Sequence, residues 1–96
     1  MPYYAVTRTQ TWQPGLAMED QPSWDEHATF MDELVDEGFI ALGGPIGRGP
    51  KVLLIVSAAS ERDIDARLAE DPWTTMGLLS TDSIARWNIR LGALAG

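Results

Sequence analysis

No cysteine occurs anywhere in the chain. Disulfides, thiolate metal sites and a thiol nucleophile are therefore excluded, and the redox compartment is left open. Histidine is nearly as scarce: His27 is the single one. A zinc site would have to lean on carboxylates, and neither a metal nor a cofactor is expected. Positive charge is also in short supply, with seven lysines and arginines against fourteen acids and a net charge of -7, for a pI near 4.4. A surface of that sign repels nucleic-acid phosphates and anionic bilayers, so no nucleic acid and no membrane is expected as a partner. The longest strongly apolar run, Val52 to Val56, is far too short to span a bilayer. No basic-then-apolar leader precedes Tyr3, and a cytoplasmic location is the expectation.

What is present suits one globular domain spanning residues 1–96, with 45% hydrophobic residues and four tryptophans. The acids are unevenly spread. More than half lie between Glu19 and Glu37, on what reads as a solvated helix face rather than a surface for a cationic partner. Ser23 and Glu26 have capping-box spacing and predict a helix start. Counted at 100° per residue, Trp24, His27, Phe30, Met31, Leu34 and Val35 form one apolar stripe, with Asp25, Glu26, Asp32, Glu33, Asp36 and Glu37 opposite. The lone imidazole thus sits in the middle of the apolar face. Gly38 ends the helix, and a strand runs from Phe39 towards Gly43-Gly44-Pro45. Packed antiparallel, helix and strand bring that turn level with His27, since both lengths are roughly 16 Å.

Around this unit the chain reads strand, helix, strand, strand, helix, strand. Tyr3 to Arg8 is aromatic and β-branched, a first strand. Thr11 to Pro22 has no periodicity and is punctuated by Pro14-Gly15 and Pro22. It is either a plain surface connection or a segment that folds over whatever His27 faces. Ile46-Gly47-Arg48-Gly49-Pro50 fits a hairpin turn and lacks both the lysine and the following helix of a phosphate loop. Lys51 to Val56 is a strand apolar on both faces. Ser60, with Asp63 three residues on, opens a short helix carrying Ile64 and Leu68 and ending near Glu70. Pro72 stops it and holds Asp71 out of the α region, and Ser83 to Leu91 alternates as a last strand.

That order is the ferredoxin-like βαββαβ sandwich, an α+β fold with a four-stranded antiparallel sheet and both helices on one face. Strands apolar on both faces need cover on the other side too, and a second copy of the chain supplies it, giving a homodimer joined through sheet faces. Alternating chain directions bring His27, Gly44 and Asp71 to one rim of the sheet.

The pattern resembles the YciI-like (YCII-related) proteins of the dimeric α+β barrel superfamily. His27 in the first helix, Gly38, the Gly43-Gly44-Pro45 turn and Asp71-Pro72-Trp73 carry the resemblance, which extends from Tyr3 to about Leu91. It implies a YCII-related domain, a dimeric barrel, and an active site in which His27 and Asp71 correspond to the family's paired histidine and aspartate. In such a pair Asp71 would fix the imidazole tautomer while the other ring nitrogen exchanges a proton with substrate. Gly44 and Pro45 would let a ligand approach the backbone, and Trp73 would wall the pocket, stack on a flat ligand, or simply pack in the core. Tyr4, Trp24 and Arg48 are weaker candidates. Ser57, Ser60 and Ser80 lack a nucleophile elbow. The leading expectation is a small cofactor-free enzyme, of isomerase or lyase type, acting on a small cyclic or aromatic metabolite. The alternatives are a ligand-binding or regulatory module using the same pocket, and a cofactor-independent monooxygenase.

Overall fold

A computed structural model describes residues 1–12 and 15–95 of the chain; of the expected Pro14-Gly15 turn, Pro14 lies outside the described residues. Four strands, β1 (Tyr3–Gln10), β2 (Ile40–Pro45), β3 (Lys51–Ser57) and β4 (Leu79–Trp87), form one sheet in the order β2-β3-β1-β4 with every pairing antiparallel. Among the described residues, the helices α1 (Trp24–Asp36) and α2 (Glu61–Leu68) and the single turn α3 (Pro72–Thr75) complete the ferredoxin-like α+β sandwich. Side chains alternate across the strands, so Tyr4 and Val6 of β1 and Leu54 and Val56 of β3 meet Leu34 of α1 and Ile64 of α2 in the main core. The opposite set, including Leu53 and Leu42, points to the bare face of the sheet.

Helix α1 forms where its apolar period predicts, but its start differs. Ser23 has a left-handed backbone with φ of 58° and makes no side-chain cap. The capping box does not form, because a serine turned this way aims its hydroxyl away from the first free N–H groups. Asp25 and Glu26 still favour the first turn through the helix dipole. The buried stripe is narrower than expected: His27, Phe30 and Leu34 are covered, whereas Val35 is 53% exposed. Ser60 does cap α2, accepting the Asp63 N–H at 3.2 Å, and that helix stops at Leu68 rather than near Glu70.

The last strand lies earlier than its alternation suggests. β4 pairs with β1 from Leu79 opposite Gln10 to Trp87 opposite Tyr3. Past Trp87 there is no more of β1 to pair with, so Ile89 and Leu91 leave the sheet despite their favourable pattern. A register shift between Thr7 and Arg8 absorbs one extra residue of β4. Between β1 and α1 the long loop is not featureless, since Met18–Asp20 forms a 3-10 turn and the Gln21 amide donates to the Leu16 carbonyl at 3.0 Å. No helix among the described residues is long and apolar enough to cross a membrane.

Candidate active site

Asp71 owes its position to the proline after it. Pro72 occupies the first position of α3 and holds Asp71 extended, at φ -64° and ψ 125°, so that the aspartate caps α3 by accepting the Trp73 N–H at 2.9 Å. The same carboxylate reaches α1. His27 Nδ1 lies 2.9 Å from Oδ1 and 3.0 Å from Oδ2. Residues 44 positions apart are thereby joined in a buried pair, with Asp71 wholly inaccessible. Burial on its own would push the Asp71 carboxyl up. The hydrogen bond from His27, the backbone N–H of Trp73 and the charges of His27 and Arg8 outweigh it and hold the group below the usual carboxylate range. An ionised carboxylate only accepts, so Nδ1 carries a hydrogen, and whenever the ring is neutral its lone pair resides on Nε2.

The imidazole is fixed from a second side. Its ring stacks on the Trp73 indole with centroids 3.9 Å apart and planes 5° from parallel. Trp73 is itself anchored, its Nε1–H donating to the Pro22 carbonyl at 2.6 Å, with Trp12 edge-on and Trp24 tilted against it. Trp73 therefore lines the cleft, but the face it gives to His27 is not free to stack on a ligand. Tyr4 belongs to the main core, and Arg48 is exposed in the β2–β3 hairpin, away from the pair.

His27 opens onto a cleft of about 240 Å³ between α1 and the sheet. Val52 and Leu54 form its floor, Met31 and Met18 its sides, and Gly43-Gly44-Pro45 of β2 its far edge. The turn and the imidazole do share one hollow. The two glycines differ, however. A Cβ on Gly43 would lie 2.7 Å from Leu54 Cδ2, whereas one on Gly44 would meet nothing within 4 Å. Gly44 pairs with Leu53, which points to the bare face, so Gly43 is the glycine on the cleft side. A larger hollow of about 680 Å³ lies over that bare face, between Leu42, Leu53 and Ile55 and the segment after β4. His27 does not line it, and lines the smaller cleft instead.

Arg8 completes the group and was not singled out from the sequence. It is 1% exposed, with Nη1 3.4 Å from Asp71 Oδ2 and Nη2 donating to Thr74 Oγ1 at 2.6 Å. Thr74 passes the bond on to the Leu68 carbonyl at 2.9 Å. The signal was available, because the period of two that buries Tyr4 and Val6 also turns Arg8 inward. Among the described residues no cluster of three or more histidine, aspartate or glutamate side chains is arranged to hold a metal ion.

No family model matches the chain, and no curated protein does. Among solved structures it is similar to 5-chloro-2-hydroxyhydroquinone dehydrochlorinase (TftG) of Burkholderia phenoliruptrix AC1100, in complex with 2,5-dihydroxybenzoquinone. The TM-score is 0.60 and the identity 26%, over 88% of this chain and 92% of that one. The likeness covers nearly the whole sandwich and puts the fold in the dimeric α+β barrel superfamily.

Proposed function

We propose that the chain is a YciI-like enzyme in which His27 and Asp71 perform general acid/base chemistry, of lyase or isomerase type, on a small hydroxylated ring. One observation carries this reading: a buried carboxylate fixes Nδ1 of the only imidazole, and that imidazole lines an apolar cleft. Nε2 takes a proton from the substrate, and Asp71 stabilises the imidazolium that results. In a lyase the leaving group then departs with its bonding pair, and in an isomerase the proton returns at another atom. At about 240 Å³ the cleft falls below the range typical of drug-sized ligands, which favours a single ring. The similar structure's name, a dehydrochlorinase of a chlorinated hydroxyhydroquinone, supports the same substrate class.

The protein works as a homodimer in this proposal, with the bare sheet face as the interface. Leu42 and Trp87 are 62% and 46% exposed on that face and adjoin the larger apolar hollow.

Chlorinated and unchlorinated hydroxyhydroquinones are the substrates to offer, with chloride release and the quinone spectrum as readouts. Turnover should fall by roughly two to four orders of magnitude in His27→Ala, while the circular dichroism spectrum stays unchanged. Turnover retained by that variant would remove the histidine from the mechanism. Saturable binding with no product from the wild type would leave a ligand-binding module in place of an enzyme.

A further inference from the structure

Helix α1 gives the cleft His27, Met31, Val35 and Asp32. Counted from His27 at 100° per residue, Met31, Val35 and Asp32 lie roughly 40°, 80° and 140° round the helix, a fan that starts in the buried stripe and ends at its solvent edge. Exposure follows the fan: His27 is buried, Met31 half-buried, and Val35 and Asp32 exposed. The cleft therefore runs from an imidazole at its inner end, across an apolar strip, to a carboxylate at its rim. Along the axis His27 and Asp32 are about 7.5 Å apart, a separation that one ring with a polar substituent at either end bridges. The thioether of Met31 suits the flat face of such a ring. The other polar side chains round the cleft, Arg8 and Gln10, come from β1 on the sheet side. Asp32 is the only carboxylate among the described residues that lines the cleft, and no hydrogen bond or ion pair among them engages its side chain. Glu37, further along the same helix, is by contrast held by Arg67 at 2.7 Å. A carboxylate accepts hydrogen bonds and donates none. What it offers a ligand is an acceptor at the mouth, and an ionised oxygen placed there would meet a like charge.

We propose that Asp32 accepts a hydrogen bond from a hydroxyl on the end of the ring away from His27, so that the cleft selects rings with two hydroxyls over rings with one. The inference rests on the reading of the cleft as a ring-binding site and adds what the outer end of the ring must carry. Asp32 is then a specificity-determining residue. It keeps the outer hydroxyl in its protonated form and turns the ring so that the inner hydroxyl meets Nε2 of His27.

The test is a titration of the whole protein, without oxygen, with hydroquinone and with 4-methoxyphenol, which has the same ring and one hydroxyl fewer. ¹H–¹⁵N spectra give the affinities, and the carboxyl ¹³C resonance of Asp32 reports on the contact itself. Hydroquinone should bind on the order of tenfold more tightly and shift the Asp32 carboxyl resonance. Asp32→Ala should bind the two compounds equally. Glu33→Gln removes the same charge from the far side of α1, outside the cleft, and should keep the preference. Should Asp32→Ala not fold, the wild-type preference and the Asp32 resonance decide the matter. Equal affinities in the wild type, a carboxyl resonance that hydroquinone leaves in place, a preference that survives Asp32→Ala, or one lost in Glu33→Gln each overturns the proposal. A wild type that binds neither compound overturns it together with the ring-binding reading. The expected preference in a protein that turns over no hydroxyhydroquinone upholds Asp32 and sinks only the catalytic part of that reading.

Discussion

Asp71 holds His27 with both of its oxygens, Nδ1 lying 2.9 Å from one and 3.0 Å from the other. An asparagine presents one acceptor oxygen and no charge, so it neither fixes the ring as firmly nor stabilises an imidazolium. It also leaves Arg8 buried beside no anion. Asp71→Asn should reduce kcat by about two to four orders of magnitude and destabilise the fold by about 3–5 kcal/mol, the range for breaking a buried pair. Steady-state kinetics and denaturant titration separate the two effects. Adding Arg8→Met to Asp71→Asn should recover much of the stability and none of the turnover.

The same carboxylate links stability to acidity. Its folded pKa lies below the ordinary value of 3.8, so folding favours the ionised form. Its contribution is complete above the unfolded carboxylate pKa and disappears as pH falls through the lower folded value. Asp82, hydrogen-bonded to Lys51 and Thr9, has its pKa lowered too, but that pair is exposed and screened by salt. Unfolding free energies measured from pH 7 down to pH 2 should therefore show an acid-side loss that persists in high salt and is absent in Asp71→Asn. A loss that vanishes with salt would point to Asp82 instead.

Helix α1 tests how the apolar stripe was read. Leu34 is fully buried and Val35 is 53% exposed, although both belong to the same sequence period. Leu34→Ala should cost about 2–5 kcal/mol, and Val35→Ala should stay within roughly 0.5 kcal/mol. Thermal or denaturant melts of the two variants are sufficient.

The sandwich was legible because its helices and strands differ in period and its turns are marked by glycine and proline. Asp71-Pro72 is the clearest case: the proline's steric demand on the preceding residue is local, and it set the one side chain that then reached across to His27. Features fixed by tertiary context were not legible. The end of β4 depends on where β1 stops, which no pattern within Ser83 to Leu91 encodes. Ser23 is held in a left-handed turn, next to a proline whose carbonyl accepts the Trp73 indole, and local capping rules do not see that contact. Arg8 was overlooked because charge suggested a surface residue while its place in the strand alternation turned it inward.

Gly43 and Gly44 look alike in sequence and should behave differently. An alanine at Gly43 drives its Cβ to 2.7 Å from Leu54 Cδ2, in a core residue that is itself buried. Overpacking of this kind costs about 1–3 kcal/mol, and the displaced leucine narrows the cleft floor, so affinity for a ring ligand should fall as well. An alanine at Gly44 meets no atom of its own chain within 4 Å, and its effect on the stability of the single chain should remain within roughly 0.5 kcal/mol. Melting curves and ligand titrations of the two variants check this.

The bare sheet face supplies the last test. Leu42 of β2 is 62% exposed and adjoins the apolar hollow that Leu53 and Ile55 floor. In a single chain an aspartate there remains in water and disturbs no core contact, so the monomer's stability should hardly change. In a face-to-face dimer, Leu42→Asp would bring a carboxylate into an apolar interface, twice by symmetry, with no cation among the residues that line the hollow. Light scattering after size exclusion should then show a dimer for the wild type and a folded monomer for Leu42→Asp. If the variant remained dimeric, the interface would have to lie on another surface. The His27 cleft is on the helix side of the sheet, with only Gly43, Gly44 and Pro45 shared between the two hollows. The monomeric variant should therefore keep most of its affinity for a ring ligand, and a loss of both together would mean that the partner helps to close the cleft through β2.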